Sequence, residues 1–197
     1  MGNKRKTILL AVLIVVLLAG AYYLYNQLQA VQEEQVTEEQ TQSSGAQQTE
    51  EAEATEYEEA QDFTVFDAEG SPVRLSDFAG QYVVLNFWAS WCGPCVQEMP
   101  HFETAFTEYG KQVQFMMLNL SVAGDDSRED ADAFIAEGGY TFPIYYDEQK
   151  DASTTYGIMS IPTTYFINKE GNIVSSVVGA MSESTLMDNL EQLMQES

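Results

Sequence analysis

Between Tyr82 and Ala89 the chain reads YVVLNFWA, apolar at every position but Asn86. So short and continuous an apolar run is the mark of a strand buried on both faces. VQFMMLNLSV, residues 113–122, repeats the pattern and predicts a second buried strand. Between the two, Cys92 to Tyr109 carries the spacing of an amphipathic helix. Upstream, FTVFDAEGSPVRLSDF predicts two short strands around a turn at Glu69-Gly70. Downstream, SREDADAFIAEGG opens on a Ser cap with early acids and closes on Gly, so it predicts a helix. DASTTYGI predicts a shorter one. TTYFINKEGNIVSSVVG reads as a β-hairpin turning at Lys169-Glu170-Gly171-Asn172. SESTLMDNLEQLMQ places Leu186, Leu190, Leu193 and Met194 at helical spacing. The whole predicts a mixed sheet with helices on its faces.

Two segments of different character precede this domain, which we bound at 62–197. In the first, residues 1–25, Lys4, Arg5 and Lys6 stand before an uncharged, mostly apolar run from Thr7 to Tyr25. As a helix that run would cross roughly 28 Å, close to the hydrocarbon thickness of a bilayer. No Lys or Arg recurs until Arg74, so the positive-inside rule keeps the N-terminus in the cytosol and sends the rest out. Tyr22, Tyr23 and Tyr25 stand where an interfacial aromatic belt would form. A cleaved signal peptide is the alternative, with Ala19-Gly20-Ala21 as its cleavage site, but the apolar run continues past it through Leu24. Residues 26–61 are Glu, Gln, Thr, Ser and Ala with few large apolar side chains, which predicts a disordered linker. As a flexible coil it would average roughly 30–35 Å end to end.

Charge follows the same division. The net −23 is +3 over residues 1–25, −10 over 26–61 and −16 over 62–197. A surface so acidic repels phosphate and argues against nucleic acid as a partner.

The chain has two cysteines, Cys92 and Cys95, in FWASWCGPC. A bridge closing so short a loop constrains little chain entropy, which makes stapling a poor use of the pair. Zinc would need further Cys or His ligands, and His101 is the one histidine. A dithiol–disulfide centre needs only what is present. Cys92 follows an apolar strand and begins a helix, where amide groups and their partial positive charge stabilise a thiolate. Gly93-Pro94 fits the first turn, since Pro lacks an N–H that would go unsatisfied there. Cys95 falls within bonding reach, one turn inward, and can resolve a mixed disulfide.

WCGPC resembles the active-site motif of thioredoxins, and Pro100 matches that family's helix proline. YGIMSIPTTYFI is similar to the loop in which a cis-Pro faces the cysteines, here Pro162 preceded by Ile161. A more specific resemblance is to the membrane-anchored TlpA/ResA-like thiol–disulfide oxidoreductases. It rests on the anchor, the added N-terminal hairpin and Glu98 in CGPCVQEMP. Thioredoxins place a buried Asp at the position of Asn86, whereas Glu98 stands one helical turn beyond Cys95. The resemblance implies a thioredoxin-like fold, with a central mixed sheet, flanking helices and the extra hairpin. It implies no cofactor beyond the redox-active Cys92–Cys95 pair, with Cys92 as nucleophile, Cys95 as resolving thiol and Glu98 as proton acceptor. Trp91, Gly93, Pro94, Ile161 and Pro162 would form the substrate-binding loops. Expected partners are a disulfide-containing protein substrate, such as the haem-site cysteines of apocytochrome c or an envelope or spore protein, and a thiol-transferring membrane donor.

The same residues admit plainer readings. Glu98 could be a solvated helix residue, His101 a surface or half-buried one, Trp88 and Met116-Met117 core filler. Asp125-Asp126 and Glu129-Asp130 lack calcium-loop spacing and read as caps and solvated face. Gly93-Pro94 favours a reductase, though the ResA-like group often carries Glu-Pro between its cysteines. A disulfide-forming oxidase, a thiol peroxidase and a tethered binding module are the alternatives.

Overall fold

The computed structural model describes residues 57–120 and 127–195. The expected membrane helix over 1–25 lies outside these residues, as do the linker up to residue 56 and the Asp125-Asp126 pair. Among the described residues no helix is long and apolar enough to cross a membrane.

The elements in chain order are β1 (Glu58–Glu59), β2 (Thr64–Phe66), β3 (Pro72–Arg74), a 3-10 turn (Leu75–Phe78), β4 (Tyr82–Trp88), α1 (Gly93–Tyr109) and β5 (Val113–Asn119). There follow α2 (Arg128–Gly138), β6 (Ile144–Tyr146), α3 (Asp151–Thr155), β7 (Thr163–Ile167), β8 (Asn172–Val178) and α4 (Glu183–Gln195). The strands form one sheet in the order β1-β8-β7-β4-β5-β6-β2-β3. β4, β5 and β6 run parallel, and the other neighbours pair antiparallel.

β4 is central, and all seven of its residues are buried. Strand periodicity divides them between two cores. Tyr82, Val84 and Trp88 face the side packed by α1 and α4, with Met99, Phe102, Leu186, Leu190 and Leu193. Val83, Leu85 and Phe87 face the other side, with Phe63, Val65, Leu75 and Ala152. Met116 and Met117 are both buried, one in each core, as filler. Trp88 is fully buried, its ring tilted 45° against that of Phe134 at 5.7 Å between centroids.

The hairpin β2–β3 lies at one edge of the sheet, joined to β6 through Phe66 opposite Tyr146. Its turn is held by the Asp67 carboxylate, which accepts from the Glu69 and Ser71 amides at 3.0 and 2.7 Å. Arg128 on α2 donates to the Asp67 and Ala68 carbonyls and stacks 4.3 Å over the Tyr146 ring.

The structure departs from the sequence reading at short elements. β6 is only three residues and β1 only two, too short for any periodicity to register. β1 also corrects the linker boundary at Gln61. Glu58 and Glu59 pair with Ile173 and Asn172 of β8, and the Ala60 amide donates to Gly171 at 2.8 Å. Two exposed glutamates carry no strand pattern; the open edge of β8 makes the strand. β5 ends at Asn119, with Leu120 already outside it.

Candidate active site

The end of β4 delivers the chain directly to the cysteines. Cys92 is the N-cap of α1, in extended conformation, and its Sγ accepts from the Cys95 amide at 3.3 Å. Gly93 and Pro94 form the first turn, where the missing Pro N–H costs nothing. The two sulfurs are bonded, with Cα atoms 5.2 Å apart. Cys92 is 5% exposed and Cys95 fully buried, so an incoming disulfide can reach only Cys92. The electrostatics favour the same sulfur, because the first amides of a 17-residue helix point at it.

Ile161-Pro162 is a cis peptide. It brings the Ile161 carbonyl oxygen to 3.6 Å from Cys92 Sγ, with Pro162 buried beneath. The cis-Pro loop is held from the opposite strand, where the Gly179 amide donates to the Pro162 carbonyl at 2.8 Å. The large apolar side chains that stay exposed among the described residues are Trp91 (52%), Met159 (95%) and Val178 (69%). Each adjoins this centre in the chain or the sheet: Trp91 precedes Cys92, Met159 lies two residues before Ile161, and Val178 pairs with Thr163. The three loops, 89–97, 157–163 and 177–182, carry no charged residue, in a chain of net charge −23.

Glu98 is 1% exposed, so the solvated-helix reading fails. It lies on the inner face of α1, one turn beyond Cys95. Its Oε1 accepts from Asn86 Nδ2 at 3.0 Å and its Oε2 from the Met181 amide at 3.0 Å. Burial raises its pKa to about 7, against the pull of the Met181 and Asn86 donors. Asn86 also donates to Thr164 Oγ1 at 2.9 Å, while its own Oδ1 is buried without a partner. The β4 position facing the helix thus presents an amide donor, and the helix supplies the carboxyl. The arrangement provides a shielded nucleophile, a buried second sulfur and a nearby group able to take or give a proton near neutrality.

Of the residues singled out from sequence, Trp91, Cys92, Gly93, Pro94, Cys95, Ile161 and Pro162 converge around the sulfurs, with Glu98 behind them. Sequence reasoning missed Met181, Thr164 and Gly179. Met181 is 83 residues from Glu98 and acts through its backbone, so no side-chain signal marks it. Gly179 does carry a signal: its φ of +100° favours glycine.

Residues 57–176 match the model of the AhpC/TSA family. Thiol-disulfide oxidoreductase ResA of Geobacillus thermodenitrificans is 35% identical over 135 residues, covering 68% of this chain and 75% of that protein. ResA of Bacillus subtilis is 33% identical, with 68% and 73% covered. Among solved structures, StoA from Bacillus subtilis superimposes with a TM-score of 0.58 at 29% identity, covering 66% of this chain and 96% of StoA. The exposed lipoprotein thioredoxin Etrx1 of Streptococcus pneumoniae gives 0.59 at 31% identity, covering 68% and 100%.

Proposed function

Because the chain belongs to the AhpC/TSA family and, within it, to the thiol–disulfide oxidoreductases of the ResA type, we propose that it is a membrane-tethered reductase of protein disulfides outside the cytosol. The observation that carries the chemistry is the pairing of a Cys92 sulfur at a helix N-terminus with a buried Cys95 and a buried, near-neutral Glu98.

In the reduced protein the Cys92 thiolate attacks a substrate disulfide. A Cys92–substrate disulfide forms and the other substrate sulfur leaves as a thiolate. Cys95 passes its proton to Glu98 and attacks Cys92 Sγ, which breaks the mixed disulfide. Two electrons have then moved to the substrate, both its sulfurs are reduced, and the Cys92–Cys95 disulfide remains. A thiol-transferring membrane protein restores the dithiol, since oxidising surroundings would otherwise leave the pair as a disulfide. The uncharged rim of Trp91, Met159 and Val178 suits an extended polypeptide with apolar side chains beside its cysteine. Oxidised haem-site cysteines of an apocytochrome c or a disulfide of an envelope or spore protein would meet that description. The anchor over residues 1–25 and the acidic linker would keep the domain at the membrane surface while it searches for such partners.

Trapping tests this reading. Cys95→Ser leaves the mixed disulfide unresolved, so a Cys92-linked protein accumulates in cells and is released by dithiothreitol. An oxidase would instead drive thiols to disulfides, and its Cys92–Cys95 pair would be reduced readily by glutathione. A binding module would retain its cellular role in Cys92→Ser. Either result, or no covalent partner, overturns the proposal.

A further inference from the structure

The segment between β8 and α4 is pinned to the active site at consecutive points. The Gly179 amide holds the Pro162 carbonyl at 2.8 Å, and the Met181 amide holds Glu98 Oε2 at 3.0 Å. The Met181 carbonyl in turn lies 3.0 Å from Nδ1 of His101. A carbonyl can only accept, so this contact requires a proton on Nδ1. His101 and Glu98 are three residues apart on α1 and therefore neighbours on one helical face. The helix thus grips a single residue, Met181, by both its N–H and its C=O. The Met181 side chain is buried in the core on the α1 side of the sheet, and Ser182 then caps α4 by accepting from the Thr185 amide at 3.2 Å.

We propose that His101 is a positioning residue for the active site: by holding the Met181 carbonyl, it keeps the Met181 N–H on the Glu98 carboxyl. The two Met181 groups belong to successive peptide planes hinged at one Cα, so the coupling is through position and not through a shared peptide dipole. If the carbonyl is released, the strap can rotate at that Cα and the amide leaves Oε2. Glu98 then loses one of its two donors in a buried place, and its charged form is disfavoured.

The groups facing Glu98 from the elements packed on α1 are few. β4 supplies the Asn86 amide, with the Thr164 hydroxyl of β7 behind it, and the strap supplies the Met181 N–H. On its own helix and N-cap the neighbours are the bonded sulfurs of Cys92 and Cys95, which do not titrate as a disulfide, and His101. Beyond the strap, the first charged side chain is Glu183, exposed at the start of α4.

The inference rests on the reading of Glu98 as proton acceptor, but the two fail separately. The turnover profile of Glu98→Gln tests that reading, whereas the titration of the Glu98 carboxyl itself tests the hold of His101. In the full-length oxidised chain labelled with ¹³C-glutamate, the Glu98 carboxyl is identified by its loss in Glu98→Gln. We expect His101→Ala to move its midpoint upward by about half a pH unit or more, the scale of one lost donor to a buried carboxylate. His101→Asn places an amide N–H where Nδ1–H was, without a charge, and restores the midpoint. An unmoved midpoint in folded His101→Ala overturns the proposal. So does an Asn variant that follows Ala, because the effect would then be one of imidazole charge. A further reading needs no variant. The single histidine gives an unambiguous ¹⁵N signal, and its neutral form must be the Nδ1–H tautomer; a bare Nδ1 overturns the proposal outright.

Discussion

With its carboxyl buried and its pKa raised to about 7, Glu98 binds a proton in the native state over a pH range where the unfolded chain does not. Stability is therefore fully present below the ordinary value of 4.5 and is lost as pH rises through about 7. The loss amounts to roughly 3 kcal/mol if the whole shift is realised. Glu98→Gln removes this dependence, so urea unfolding at pH 8.5 should find the variant more stable than the parent, with little difference at pH 4. The Gln amide N–H needs an acceptor, which Asn86 Oδ1, buried without a donor, supplies once the Asn86 amide turns over; Asn86 Nδ2 then takes the unpartnered place and trims the gain. The same substitution is expected to slow disulfide reduction about tenfold near pH 7 and to flatten its pH dependence there, since no group remains to take the Cys95 proton. An unchanged pH profile in stopped-flow reduction would remove Glu98 from the chemistry while leaving the stability result standing.

The elements around the site are tied by a small number of backbone contacts, which makes their contributions separable. Gly179 stands at the end of β8 with φ +100°, and its amide holds the Pro162 carbonyl. Gly179→Ala is expected to cost about 1–2 kcal/mol in thermal unfolding, because an L side chain is strained at that φ. It also loosens the cis-Pro loop, so reduction of a peptide disulfide weakens more than stability alone accounts for. Arg128 performs a different task, joining α2 to the hairpin turn and to Tyr146. Arg128→Ala should quicken hydrogen exchange at Gly70 and Ser71 while β4 amides stay protected. Equal acceleration in β4 would mean that the hairpin and the central sheet open as one unit.

For the molecule as a whole, the boundary between linker and domain is the point where sequence and structure differ most usefully. A fragment of residues 62–197 follows the composition change; one of 57–197 keeps β1. The shorter fragment leaves the β8 edge unpaired and removes the Gln61 carbonyl that accepts from the Tyr156 hydroxyl at 3.0 Å. Its melting temperature is expected to fall by about 3–5 °C, and its bare edge favours self-association in size-exclusion chromatography. Indistinguishable fragments would show that β1 contributes nothing. Deleting residues 1–25 should move the protein to the soluble fraction with peptide reduction unchanged; membrane retention after deletion would argue against the anchor.

Much of this protein is legible in local pattern. Continuous apolar runs mark β4 and β5, because a strand buried on both faces has no polar side to show. The Ser127 cap and early acids mark α2, and the Cys-Gly-Pro-Cys turn after β4 marks the redox centre. These signals lie within a few residues of the element or group they describe. Two departures turn on partners distant in the chain. β1 is a strand only because β8 has an open edge, and nothing in Glu58-Glu59 shows it. Glu98 reads from sequence as either a solvated or a functional residue. Its environment is decided by Asn86 from β4 and by the Met181 amide, 83 residues away, folding over it. Burial is a property of what packs against a face, so chemistry that depends on burial becomes visible only when the packing partner is in place.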